Sequence, residues 1–305
     1  MDPLEKVMGY TGANLESPDE LFCIDLNTTK TKKLTGLNRR YVNSRNFLPA
    51  EEVEYFNGRQ KLMGWLIKPP DFTPRKKYPF ILNIHGGPRA QYGRTFYHEM
   101  YVLATEGFVV MYTNPRGSQG YGERFAKSIE GRWAEPAMED LIAAVDYAIS
   151  LGYVNQNRLG VTGGSYGGYM TNWMVTHSDR FKAAVTQRSV SDLTSMFGNS
   201  DVGWDMAQEF GGAPWENRND YIKWSPMTYI QQCKTPLLII HSESDLRCNI
   251  EQGDQIFTAL KYLKRDVEYI RFPEEPHGLS RHGRPDRREA RLTLMVEWFK
   301  KYLMK

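Results

Sequence analysis

The stretch Leu159-Gly160-Val161-Thr162-Gly163-Gly164-Ser165-Tyr166-Gly167 decides the fold. Its first four residues read as a buried strand, and a helical period follows over 169–177. Between them, Gly163-Gly164-Ser165-Tyr166-Gly167 fits G-x-S-x-G. That pentapeptide arises by chance in many chains. A strand directly before it and a helix directly after it are the context that makes it a nucleophile elbow. The turn is so tight that its flanking residues must be small. It lifts the serine hydroxyl above the carboxyl edge of a sheet, and the helix N-terminus behind it favours developing negative charge. A phosphate loop is the poorer reading, since no Gly-Lys-Ser/Thr follows.

Outward from the elbow, strand-like runs alternate with helical periods. Buried-type strands are expected over 80–84, 108–112, 183–186, 237–240 and 267–272, and helices over 138–151, 252–263 and 288–303. The last helix carries Leu292, Met295, Val296, Phe299 and Leu303 at three- and four-residue spacing, an amphipathic stripe. Such alternation implies an α/β fold with a mostly parallel central sheet and helices on both faces. Residues 53–56 and 62–67 read as an antiparallel pair around Asn57-Gly58. The first fifty residues differ. A strand over 21–26 returns through Lys33-Leu34-Thr35, a hairpin that is marginal alone and must pack on the main body or on another domain. The expected division is an extension at 1–50 and a catalytic unit at 51–305.

Composition excludes several classes. Lys and Arg total 39 against 36 for Asp and Glu, a balance of +3 that gives no electrostatic footprint for nucleic acid. The longest apolar runs, such as 237–240, fall far short of the ~20 residues of a membrane span. The three cysteines, Cys23, Cys233 and Cys248, form no C-x-x-C pair, so neither a disulfide framework nor a zinc site is expected. Free thiols in a reducing compartment, and an opening MDPLEKVMGY without a signal-peptide core, give the expectation of a cytoplasmic protein.

A serine hydroxyl needs a base, and the base an orienting carboxylate. With an elbow of this kind the chain order is Ser, then Asp or Glu, then His. Asp245 lies just past the strand at 237–240, with Glu243 as its rival. His277 lies just past the strand at 267–272. Of the other histidines, His85, His98 and His177 come too early and His241 precedes Asp245. His282 sits among Arg281, Arg284, Arg287 and Arg288, which reads as a solvated basic surface. Asp192, Asp201 and Asp205 read as caps or loop residues. The oxyanion of a tetrahedral intermediate needs donors. His85-Gly86-Gly87-Pro88 is similar to the H-G-G motif that supplies one, and the backbone N–H of Tyr166, next to the nucleophile, would supply the second. Phe197, Trp204 and Trp215 are candidates to line a pocket for an apolar side chain, or plain packing.

Several stretches occur together and in order. They are Gly164-Ser165-Tyr166-Gly167-Gly168-Tyr169-Met170, His85-Gly86-Gly87-Pro88, Asn114-Pro115-Arg116-Gly117-Ser118 with Gly120-Tyr121-Gly122, Ser225-Pro226, Asp245-Leu246-Arg247-Cys248 and Phe272-Pro273-Glu274-Glu275-Pro276-His277. From about residue 51 to the end, the chain resembles the catalytic α/β-hydrolase domain of the prolyl oligopeptidase family of serine peptidases, its acylaminoacyl-peptidase branch most. The resemblance implies a triad of Ser165, Asp245 and His277, with Gly87 and Tyr166 lining the oxyanion hole. It implies that Arg247 holds a substrate carbonyl, a surface salt bridge being the plainer alternative, and that no metal or cofactor is needed. The implied substrate is a short peptide or an N-acylated aminoacyl peptide. A carboxylesterase acting on short-chain esters is the alternative, and a catalytically dead binding protein a third reading. Family members normally carry an N-terminal β-propeller over the site. Residues 1–50 resemble the end of its last blade, and apolar surface left around the site would favour a homo-oligomer.

Overall fold

The computed structural model describes residues 6–45 and 47–305. Strands β1 (Val7–Gly12), β2 (Glu20–Asp25) and β3 (Thr31–Lys33) form a small antiparallel sheet in that order. The hairpin read from sequence is β2–β3, and β1 is an addition. Its residues are mostly exposed, so it lacks the alternation that betrays a half-buried strand. Glu20 anchors the return of the chain. Its carboxylate accepts from the Thr35 hydroxyl at 2.6 Å and from the Leu37 and Asn38 amides, and these bonds, that of Thr35 foremost, hold its pKa down to about 2. This small sheet meets the main body where Tyr101 donates its hydroxyl hydrogen to the Leu15 carbonyl.

The main sheet contains β4 (Glu51–Asn57), β5 (Gln60–Ile67), β6 (Tyr78–Ile84), β7 (Val109–Asn114), β8 (Val154–Ser165), β9 (Ala183–Ser189), β10 (Leu237–Ser242) and β11 (Val267–Phe272). Its order is β11-β10-β9-β8-β6-β7-β5-β4. Only β4–β5 and β5–β7 pair antiparallel; the rest are parallel. After β6 the chain adds β7 on one side, then crosses to place β8 on the other. The carboxyl ends of β6 and β8 thus meet at a switch in winding direction, where open α/β sheets leave a crevice. Ile84 pairs with Gly163 in that register, so the residues after β6 and the end of β8 are neighbours.

Successive side chains alternate between two cores. Phe80, Leu82, Val109, Met111, Leu159 and Val161 face one side, under helices Glu135–Ser150, Tyr166–His177 and Glu251–Tyr262. Ile81, Val110, Tyr112, Val185, Leu238 and Ile240 face the other, under helices His98–Thr105 and Pro285–Leu303. Gly160 lets the terminal helix seat closely, since a Cβ there would lie 2.8 Å from Phe299 Cε1 and 2.9 Å from Leu303 Cδ1. No helix among the described residues is long and apolar enough to cross a membrane.

The three cysteines are free. Cys233 and Cys248 lie in the core and Cys23 is half-buried in β2. Burial raises the Cys233 thiol to about 11. Burial, reinforced by the Asp245 carboxylate, pushes Cys248 well above its ordinary value as well. A raised thiol pKa leaves little thiolate at neutral pH. In native protein at pH 8, a disulfide thiol reagent is therefore expected to titrate Cys23 promptly and the other two only on unfolding; rapid native reaction of all three would contradict the packing. Gly160→Val is expected to cost about 1–3 kcal/mol of stability in a denaturant titration, and an unchanged midpoint would show that the terminal helix seats differently.

Candidate active site

Ser165 is the last residue of β8 and the N-cap of helix Tyr166–His177. Its φ of 61° and ψ of −124° are unusual for a residue with a Cβ, a backbone state that costs on the order of 1–3 kcal/mol and persists only where the surroundings impose it. They do so here: a Cβ on Gly167 would lie 2.1 Å from the Ile84 carbonyl oxygen, so the first turn of the helix presses on the end of β6. The amides of the first helical turn, Tyr166 among them, have no intrahelical acceptor. The Tyr166 side chain is tied back, its hydroxyl donating to the Trp133 carbonyl at 2.7 Å.

The loop after β6 lies against the nucleophile. A Cβ on Gly86 would sit 3.2 Å from Ser165 Cβ and 3.8 Å from its Oγ. His85 is buried, with Nε2 2.8 Å from Ser118 Oγ and Nδ1 2.6 Å from the Gly86 carbonyl. Burial lowers its pKa, so it stays neutral and braces the loop. Gly87 is exposed at the loop's tip.

Asp245 is buried past the end of β10. Its Oδ1 accepts the amides of Arg247 at 3.0 Å and Cys248 at 2.9 Å, while Oδ2 accepts from His277 Nδ1 at 2.7 Å. The second buried histidine nearby, His241, stands 3.7 Å from Oδ2 and is bonded through Nε2 to the Cys248 carbonyl at 2.7 Å. Burial pushes the His241 pKa down. It remains neutral, and the carboxylate serves His277. Glu243, the rival acid, binds Arg271 at the surface at 3.1 Å. His282 is exposed.

Ser165, Tyr166, Gly87, Arg247, Cys248 and His277 line one cavity of about 1700 Å³. Arg247 forms a surface salt bridge with Asp201 at 2.5 Å, and Asp201 lies in a turn as read from the sequence. Phe197, Trp204 and Trp215 are absent from the cavity wall. Trp204 and Trp215 are 64% and 77% exposed, and Trp215 packs edge-on against Phe197. The apolar lining includes Trp133, Val190, Met196, Val202 and Met206, and also Tyr92, Phe96 and Tyr97 from the segment after β6. The sequence signal was the right segment with the wrong side chains: exposed aromatics catch the eye, whereas Met196 and Met206 face inward from two short helices, Leu193–Asn199 and Asp205–Phe210. Among the described residues no group of three or more His, Cys, Asp and Glu could hold a metal ion.

A sequence profile for the prolyl oligopeptidase family matches residues 94–305. The uncharacterized peptidase YuxL of Bacillus subtilis is 42% identical over 297 residues, covering 94% of this chain and 44% of the relative. The acylaminoacyl peptidase of Pyrococcus horikoshii superposes with a TM-score of 0.93 at 34% identity, over 98% of this chain and 48% of that one. An acylaminoacyl peptidase in complex with Z-Gly-Gly-Phe-chloromethyl ketone superposes with a TM-score of 0.94 at 34% identity, over 99% of this chain and 49% of that one. The chain thus spans about half the length of these relatives. Its central sheet and flanking helices are those of α/β-hydrolase peptidases. With the profile extending over more than half of its residues, the chain belongs to the prolyl oligopeptidase family.

Proposed function

We propose that this protein is a serine peptidase that cleaves short peptides or N-acylated aminoacyl peptides through an acyl-enzyme on Ser165. The observation that carries this reading is the 2.7 Å bond from His277 Nδ1 to buried Asp245, beside the cavity that Ser165 also lines. With Nδ1–H given to Asp245, the lone pair of His277 sits on Nε2, the atom that takes the Ser165 proton. Ser165 Oγ then attacks the scissile carbonyl carbon. The amides of Gly87 and Tyr166 hold the oxyanion. The intermediate collapses, the C–N bond breaks, and His277 returns its proton to the departing amine. Water activated by the same imidazole hydrolyses the acyl-enzyme. Asp245 stabilises the imidazolium throughout. Arg247, steadied by Asp201, would hold a substrate carbonyl at the cavity mouth.

The methionine- and valine-rich wall supports an apolar side chain next to the scissile bond. The inhibitor carried by the neighbouring acylaminoacyl peptidase has Phe in the corresponding place of its peptide. Residues 1–50 are proposed as the end of a propeller blade, which the edge-exposed antiparallel sheet β1–β3 supports. Free, buried thiols support a cytoplasmic setting. Exposed Trp204, Trp215 and Leu246 support self-association.

Ser165→Ala is expected to abolish turnover of an acetyl-Phe anilide while leaving the thermal transition in place; wild-type rates in that variant would defeat the assignment. Asp245→Asn is expected to lower kcat by about 10³–10⁴ through loss of the productive His277 tautomer. Activity on aryl esters with none on peptides or anilides would make the protein a carboxylesterase instead.

A further inference from the structure

The cavity carries a charge that the hydrolytic machinery leaves unused. Arg188, Arg281, Arg288 and Arg291 all line it. Arg188, near the end of β9, has φ 38°. Its guanidinium lies across Gly164, the residue before the nucleophile: a Cβ on Gly164 would be 2.8 Å from Arg188 Cζ and Nη2. Nη1 donates to Ser280 Oγ at 2.9 Å, and Nε has no hydrogen-bond partner among the described residues. Arg291 is buried on the terminal helix, where Nη1 donates to Glu99 at 2.6 Å and to Gln187 at 2.5 Å. Its Nε, like that of Arg288, is unpartnered among the described residues.

Of the carboxylates that line the same cavity, Glu99 is bonded by Arg291 and Asn83, Glu209 by Arg89 and Glu106 by Lys300, which leaves Asp205 and the exposed Glu289 and Glu297. Burial and neighbouring like charge act together on two groups. Burial, then the like charges of Arg281 and Arg291, push Arg188 down to about 10. Burial, then Arg291, push the neighbouring His98 below its ordinary value. The recessed guanidinium groups of Arg188 and Arg291, with open donors and exposed Arg281 beside them, attract an anion, and their planar fork suits a carboxylate.

Position selects which carboxylate. Ser280 and Arg281 follow His277 by three and four residues on the same loop and short helix Leu279–His282. The cluster therefore stands on the side of the base, which hands its proton to the departing amine. We infer that Arg188, with Arg281 and Arg291, forms a subsite for a carboxylate on the leaving-group side of the scissile bond, supplied by the free C-terminus of a short peptide. This rests on the peptidase reading above.

The test compares acetyl-Phe-Ala as free acid, acetyl-Phe-Ala amide and acetyl-Phe-Asp amide, with acetyl-Phe 4-nitroanilide as a substrate that lacks a leaving-group carboxylate. The free acid is expected to exceed the alanine amide in kcat/KM by about tenfold or more. That ratio should fall toward one in Arg281→Gln, which is exposed and spares the elbow, and in Arg188→Gln. Preference for the aspartyl amide over the free acid would support the subsite but assign it to a side-chain carboxylate. Equal rates for free acid and alanine amide, with the anilide cleaved, would overturn the inference alone, as would a ratio unchanged in both variants. No turnover of any peptide or of the anilide would overturn the peptidase reading and this inference with it.

Discussion

The backbone at Ser165 is the constraint on which the rest depends. A residue with a Cβ is held at φ 61° because the helix that follows it is pressed against the end of β6, with room at residue 167 for a hydrogen and nothing more. The strain, on the order of 1–3 kcal/mol, is small against the burial of Leu82, Ile84, Val161, Tyr169 and Met170 around it. That packing makes the elbow rigid. A rigid elbow keeps the Ser165 hydroxyl, the first-turn amides and the β6 loop in fixed relation, the preorganised form that the proposed electrostatic catalysis needs.

The second requirement is that a single buried charge serve a single imidazole. Two histidines approach Asp245, and they are distinguished by surroundings. His241 is enclosed and has its Nε2 committed to the Cys248 carbonyl, so ionisation there is opposed by desolvation. His277 keeps a fifth of its side chain exposed and its Nδ1 on the carboxylate. Asp245 itself is held by two backbone amides in the tight turn Asp245–Cys248, which fixes the oxygen that faces His277.

Much of this was legible in the sequence because it is local. The elbow is a strand–turn–helix written in consecutive residues, and the parallel sheet follows from apolar runs alternating with helical periods. The loops bearing Asp245 and His277 follow strands that are easy to see. What escaped was short or exposed. Strand β1 shows no buried face. The eight-residue helix His98–Thr105 is too brief for its period to stand out. The helices between residues 193 and 223 have six or seven residues each, and their inward methionines carry less pattern than the outward tryptophans beside them. The Asp201–Arg247 pair and the contact of Arg188 with Gly164 join segments that are remote in sequence, and no spacing rule announces them.

The cavity lining combines apolar and cationic side chains. Its lining includes Trp133, Val190, Met196 and Met206, which gain from desolvating an apolar group. The same lining includes Arg188, Arg281 and Arg291, which gain from an anion and would penalise an apolar group that left their donors unmatched. Under the proposed carboxylate subsite, a peptide with a blocked, apolar acyl half and a charged end would match both kinds of group in one orientation. Reversing it would bury a carboxylate against methionine and leave guanidinium groups without acceptors. Orientation would then be set by mismatch as much as by attraction, relative to an elbow that the packing of β6 against the helix holds in place.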